Sequence, residues 1–145
     1  MRPKLYLAMI GLLCIPFFLT AQGLSQNSKD VAPAPVSNKL TMARAVMCEE
    51  IKDFVPYTTA TVFSIAIGKV SCFILFDPVP EKTVIYHKWY HKDKLSTNKR
   101  LTLQPPRWST YTSIQLRETD KGPWRVEIVY QAGKLLNVLR FSVTE

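Results

Sequence analysis

From Thr41 onward hydrophobic and polar positions alternate in short runs broken by turn residues, and no stretch keeps a helical period for three turns. Eight strands are predicted. Met42–Glu49 is followed, after the break at Asp53-Phe54-Val55-Pro56, by Thr58–Ile67; Gly68-Lys69 then turns the chain into Val70–Phe76. In that third strand Val70, Cys72, Ile74 and Phe76 share one face by the period of two, which should point inward. Asp77-Pro78-Val79-Pro80 stops it, since a proline donates nothing to a strand ladder. Thr83–His91 and Leu95–Leu103 form a hairpin around Lys92-Asp93-Lys94, and Pro105-Pro106 closes its second arm. Arg107–Leu116 comes next. Asp120-Lys121-Gly122-Pro123 is a turn signal before Trp124–Tyr130, and Gln131-Ala132-Gly133-Lys134 joins that strand to Leu135–Val143. Short strands at this spacing, each with one polar face, predict an all-β fold: a single antiparallel β-sandwich, immunoglobulin-like in general architecture.

The N-terminal pattern is different. Arg2 and Lys4 precede an apolar run from Leu5 to Leu19 and then Thr20-Ala21-Gln22-Gly23, which is the pattern of a signal peptide. The run falls short of the ~20 residues of a spanning helix, which favours cleavage, placed after Ala21, over a retained anchor. Cys14 lies within the run after Leu13, not after the small residue that lipid attachment wants. Gln22 to Lys39 carries Ser25, Asn27, Ser28, Pro33, Pro35 and Ser37 with no apolar period, and reads as a flexible tether. The expected organisation is a signal peptide at 1–21, a linker at 22–39 and the β-sandwich domain at 40–145. It implies an exported protein of the periplasm or cell envelope, with no stable membrane span after cleavage.

Charge and cysteine content sharpen this picture. The 145 residues carry 19 bases and 11 acids, a net charge of +8, and loss of Arg2 and Lys4 leaves +6. With 47% hydrophobic residues the chain is too apolar for a disordered polycation. Two cysteines remain after cleavage, Cys48 and Cys72, an even number in an oxidising compartment, so a disulfide between them is expected; buried free thiols are the alternative. Neither has a second ligand at close spacing, so no metal or cofactor site is predicted.

The order of motifs resembles a bacterial family known as domain of unknown function 2914. Ala43-Arg44-Ala45-Val46 opens the matching region. Ile85-Tyr86-His87-Lys88-Trp89 supplies a His-x-Trp strand, and Pro106-Arg107-Trp108 with Ser113 an Arg-Trp segment. Gly122-Pro123-Trp124-Arg125-Val126, Gly133 and Phe141-Ser142-Val143 make the C-terminal hairpin. The resemblance covers about residues 42–144 and departs at Ser109, where the family pattern has a second Arg. It implies a β-domain of exported or envelope-associated proteins and no known reaction.

No catalytic signature is present. His87 and His91 lie on one face of a strand about 13 Å apart, too far to share a metal ion. His87 reads as a structural histidine beside Trp89, and Trp89, Trp108 and Trp124 as core fillers. The densest local chemistry runs from Tyr86 to Arg107, where Lys88, Lys92, Lys94, Lys99, Arg100 and Arg107 outnumber the single acid Asp93 and Tyr86, Trp89 and Tyr90 are interleaved. Cations among aromatic rings suit a polyanion. Lys88, Tyr90, Lys92, Lys94, Lys99, Arg100 and Arg107 are therefore the candidate ligand contacts, although lysines that protect an edge strand from pairing have the same pattern.

The function expected is a non-catalytic exported module that binds a partner protein or an anionic envelope component, with no nucleic acid as its natural ligand. Two other classes stay open. An envelope-polymer hydrolase would bring Glu49, Glu50 or Asp53 to His87; a purely structural domain would be held near the membrane by its tether. If the N-terminal reading is right, intact mass spectrometry of envelope material will find a chain starting at or near Gln22 and lacking Cys14. The full-length 16.6 kDa mass would reject cleavage.

Overall fold

The structure is a computed structural model that describes residues 38–145. The expected signal peptide with Cys14 and the expected linker as far as residue 37 lie outside the described residues. The strands are β1 (Met42–Lys52), β2 (Val55–Thr59), β3 (Val62–Ser64), β4 (Lys69–Phe76), β5 (Thr83–His91), β6 (Lys94–Leu103), β7 (Trp108–Gln115), β8 (Gly122–Tyr130) and β9 (Leu135–Thr144). They form two sheets, one of four strands in the order β2-β1-β4-β7 and one of five in the order β3-β9-β8-β5-β6. The fold is an all-β sandwich.

Alternation along the strands builds the core. In β5, Thr83, Ile85, His87 and Trp89 are buried while the residues between them are half-buried. Val70, Cys72, Ile74 and Phe76 of β4 meet Ile85, Trp89, Val126, Ile128 and Phe141 of the facing sheet in one cluster. Trp89 packs edge-on to Phe141 at 6.0 Å, and Trp124 stacks on Phe141 at 5.9 Å. Such aromatic arrangements add to the burial of apolar area.

The expected strand Thr58–Ile67 is where prediction and structure part. Only Asp53 and Phe54 form the first turn, both at positive φ (48° and 58°), as a two-residue type I′ hairpin requires. Val55 and Pro56 already belong to β2, the outermost strand of its sheet, where Pro56 withholds no ladder bond. The chain then leaves this sheet at Ala60-Thr61, and β3 joins the other sheet as a parallel partner of β9. Ser64 ends β3 by accepting a hydrogen bond from the Ala66 N–H at 3.1 Å, which bends Ile65–Ile67 into a 3-10 turn. Gly68, at φ 70°, closes that turn through its N–H to the Ile65 carbonyl. Nine strands result where eight were expected, with one parallel pair. The Lys92-Asp93 turn is likewise shorter than predicted, with both residues at positive φ and Lys94 already in β6.

The expected disulfide is absent: Cys48 and Cys72 are free and buried. Register supplies the reason. On the neighbouring strands β1 and β4, Cys72 stands opposite Met47 and Cys48 opposite Ser71. Residues paired across a ladder point the same way and adjacent residues point oppositely, so the two thiols lie on opposite faces of one sheet. Cys72 enters the core; Cys48 lies on the outer face and its thiol donates to the Ser71 carbonyl at 3.7 Å. The outer face is covered there because the β1–β2 hairpin bends back over β4, bringing Phe54 edge-on to Tyr111 of β7 at 5.9 Å. Burial pushes the Cys48 thiol up to about 11, against the opposing pull of Arg44 and Lys69, and raises that of Cys72 further. Alkylation under native conditions at neutral pH should therefore label neither thiol, and alkylation of denatured, unreduced protein should label both. Failure of both to react after denaturation would restore the bridge.

Candidate functional site

The polar centre of the sandwich is a three-residue clasp. His87 and Trp89 project inward from β5, and Thr112, paired with Cys72, projects inward from β7 of the other sheet. Thr112 Oγ1 accepts the indole N–H of Trp89 at 3.1 Å and lies 2.8 Å from His87 Nδ1. With the indole donating to it, the hydroxyl satisfies its own hydrogen by donating to Nδ1, which leaves the imidazole proton on Nε2. That Nε2 is buried and has no partner. Burial alone pushes the His87 pKa down to about 4, so the ring is neutral at physiological pH. Its hydrogen-bonding partner is a threonine and no carboxylate orients it, unlike a catalytic base held by an acid. Among the described residues no three His, Cys, Asp or Glu side chains come together.

The basic residues predicted as ligand contacts are divided by the pleat. Lys88, Tyr90 and Arg100 lie on the outer face of the five-stranded sheet, because β5 sends Tyr86, Lys88 and Tyr90 outward and Arg100 is paired with Tyr86. Lys99 is paired with the inward His87 and faces a cleft between β6 and β7. Lys92 occupies the β5–β6 turn and Lys94 starts β6 beside it. Arg107 stands at the other end of β6 and pairs with Asp77 at 3.6 Å. An exposed pair of this length contributes little.

One residue of the outer face escaped the sequence reading. Arg140 of β9 stands opposite Arg125 of β8, so two guanidinium groups face outward side by side. Like charges directly across a ladder destabilise it unless one is neutralised. Arg125 is: it bonds Glu127 Oε1 at 3.0 Å, pairs with Asp93 and lies over the Tyr90 ring at 4.1 Å. Arg140, Lys88 and Arg100 make no ion pair among the described residues. Arg140 sits 33 positions beyond Arg107, outside the basic run, so only the β8–β9 register reveals it.

The tryptophans also separate. Trp89 is fully buried and Trp124 nearly so, stacked between His91 at 4.5 Å and Phe141, as expected of core fillers. Trp108 departs from that expectation: it is 37% exposed. It begins β7, an outermost strand, with β4 on one side only.

The clasp makes stability depend on acid. A neutral buried His87 with its pKa near 4 and an unfolded value near 6.5 leaves the unfolded chain binding the extra proton between those limits. Its contribution is complete above pH 6.5, falls with decreasing pH and is gone below 4, a loss of about 3 kcal/mol. Urea unfolding from pH 7 to 4 should show this fall, and His87→Gln should remove it. Thr112→Val should cost about 2–5 kcal/mol by orphaning two buried polar groups. A wild-type stability no more acid-sensitive than that of His87→Gln would contradict the neutral buried ring.

No curated protein matches the chain. A family model described as "Protein of unknown function (DUF2914)" matches residues 82–143, the stretch from the start of β5 to the penultimate residue of β9. That stretch contains the His87-Lys88-Trp89 strand, the Thr112 that clasps it and the β8–β9 hairpin carrying Arg140. Over residues 82–143 the chain is therefore similar to the DUF2914 family, the resemblance that its motif order predicts.

Proposed function

We propose that this chain is an exported, non-catalytic module that holds an anionic polymer of the cell envelope on the outer face of its five-stranded sheet. The observation that carries the reading is the set of unpaired cations Lys88, Arg100 and Arg140 on that one face, with Tyr86 paired beside Arg100. A flat sheet face presents side chains at the regular spacing of the strands, which suits a repeating chain of charges better than a compact substrate. The neighbouring Arg125 is tied to two carboxylates, Glu127 and Asp93, and supports the Tyr90 ring, so this cluster carries a net −1 that the three free cations outweigh. The leader pattern at residues 1–21 supports access to envelope polymers. The neutral, threonine-bound His87 favours binding over a hydrolase reading, which needs that imidazole next to an acid.

Linear polyphosphate serves as the probe. Lys88→Gln, Arg100→Gln and Arg140→Gln combined should lower its affinity and reduce the slope of log affinity against log salt by about 2, as three lost phosphate contacts at about 0.7 counterion each require. Removing the same charge at Lys92, Lys94 and Lys134 should have a distinctly smaller effect. Undiminished binding by the face variant at low salt would sink the proposal.

A further inference from the structure

We infer that the cleft between β6 and β7 is a second binding site, one that takes a sugar ring bearing a carboxylate or phosphate. Each of these strands is the outermost of its own sheet. The sandwich is therefore open along this side, and the opening holds a cleft of about 490 Å³. The inward positions of β6 show that the opening is specified by the sequence. Leu103 and Leu101 join the core and close one end of the sandwich, whereas the next two inward positions are Lys99, paired with His87, and Thr97, paired with Trp89. The inward face of β6 thus turns polar halfway along, and unlike the inward His87 and Thr112 the side chains of Lys99 and Thr97 make no hydrogen bond among the described residues. Such breaks fall at functional sites.

The lining indicates the ligand. Ser96 and Thr97 of β6 line one side of the cleft and Ser113 and Gln115 of β7 the other. The Ser113 hydroxyl is held by Ser71 Oγ at 2.7 Å on the outer face, so the hydroxyls of Ser96 and Thr97 and the Gln115 amide are the groups able to donate to and accept from ring hydroxyls. Ser113, Ile114 and Gln115 line it consecutively. Only a strand presented edge-on does that, and an outermost strand adds backbone N–H and C=O groups with no neighbouring strand to bond. Two cations, Lys99 and Arg117, stand in the lining and make no ion pair among the described residues. The one acid there, Asp120, already accepts the Arg117 backbone N–H at 2.8 Å. Trp124 at the margin has both ring faces taken by His91 and Phe141 and donates its N–H to the Asp120 carbonyl at 2.7 Å. It offers a fixed apolar edge and no stacking platform. Recognition therefore comes from hydroxyl-matching polar groups with one net positive charge, which is complementary to a polyhydroxylated anion and poorly matched to an apolar ligand.

The site is separate from the polymer-binding face, since β6 sends Arg100 outward and Lys99 into the cleft. It can be tested by amide NMR titration of the folded domain with digalacturonate, glucose 6-phosphate, glucose and inorganic phosphate. An acidic sugar should give saturable shifts at Thr97, Lys99 and Ser113–Gln115 at millimolar concentration, and whichever of the first two binds better identifies the anionic group. Glucose and inorganic phosphate should each bind about tenfold more weakly, and Lys99→Gln or Arg117→Gln should cost the acidic sugar about tenfold while lowering polyphosphate affinity no more than the change at Lys92, Lys94 and Lys134 does. No saturable shift for either acidic sugar overturns the inference. So does glucose or phosphate binding as tightly as an acidic sugar, or an acidic sugar indifferent to both substitutions.

Discussion

The sandwich is held in register across its centre by a single hydroxyl. Thr112 receives the Trp89 indole N–H and bonds His87, so that one short side chain of the four-stranded sheet engages two large ones of the five-stranded sheet. Hydrophobic packing between sheets is tolerant of sliding because it has no direction, whereas three polar groups in a dry interior meet in only one arrangement. Shifting β5 by one residue would turn Ile85, His87 and Trp89 outward together. The cost of this specificity is visible in the unpartnered His87 Nε2.

With the sheets placed by that clasp, the remaining surfaces acquire distinct characters. The outer face of the five-stranded sheet is cationic, carrying Lys88, Arg100 and Arg140. The opposite face, on the four-stranded sheet, is covered by the bent β1–β2 hairpin, whose tip residue Phe54 is 59% exposed and held at positive φ against Tyr111. A bulky residue in that conformation is under strain, which the cross-strand aromatic contact helps to offset. Between the faces, the outermost strands β6 and β7 leave one side of the sandwich open and polar. The adjacent Lys99 and Arg100 of β6 fall in different environments because successive residues of a strand point to opposite faces.

The family match and the structure coincide in an informative way. The matched stretch runs from β5 to β9 and so includes the clasp, the cationic face and the cleft, while the sheet-switching segment β2–β3 lies before it. The His-x-Trp strand noticed in the sequence has a physical role here: its two conspicuous residues share one acceptor-donor partner 23 to 25 positions away.

The amino-acid sequence by itself determined most of the strands, because each depends on a local alternation and on turn residues that sit beside it. β5 begins and ends where the pattern placed it, and the inward face of β4 is the one that the period of two selected. The same local reading failed wherever a long-range partner decides the outcome. The split of residues 58–67 into two strands depends on Val62–Ser64 pairing with β9, some eighty residues later. The separation of Cys48 from Cys72 depends on the β1–β4 register, where an offset of one position puts the thiols on opposite faces. Lys99 and Arg100 are neighbours in the chain and belong to different surfaces, while Arg140 joins Arg100 only through the five-stranded sheet. Local patterns specify which way a side chain points relative to its own strand; what it then meets is decided by which strands lie alongside, and tertiary structure alone supplies that.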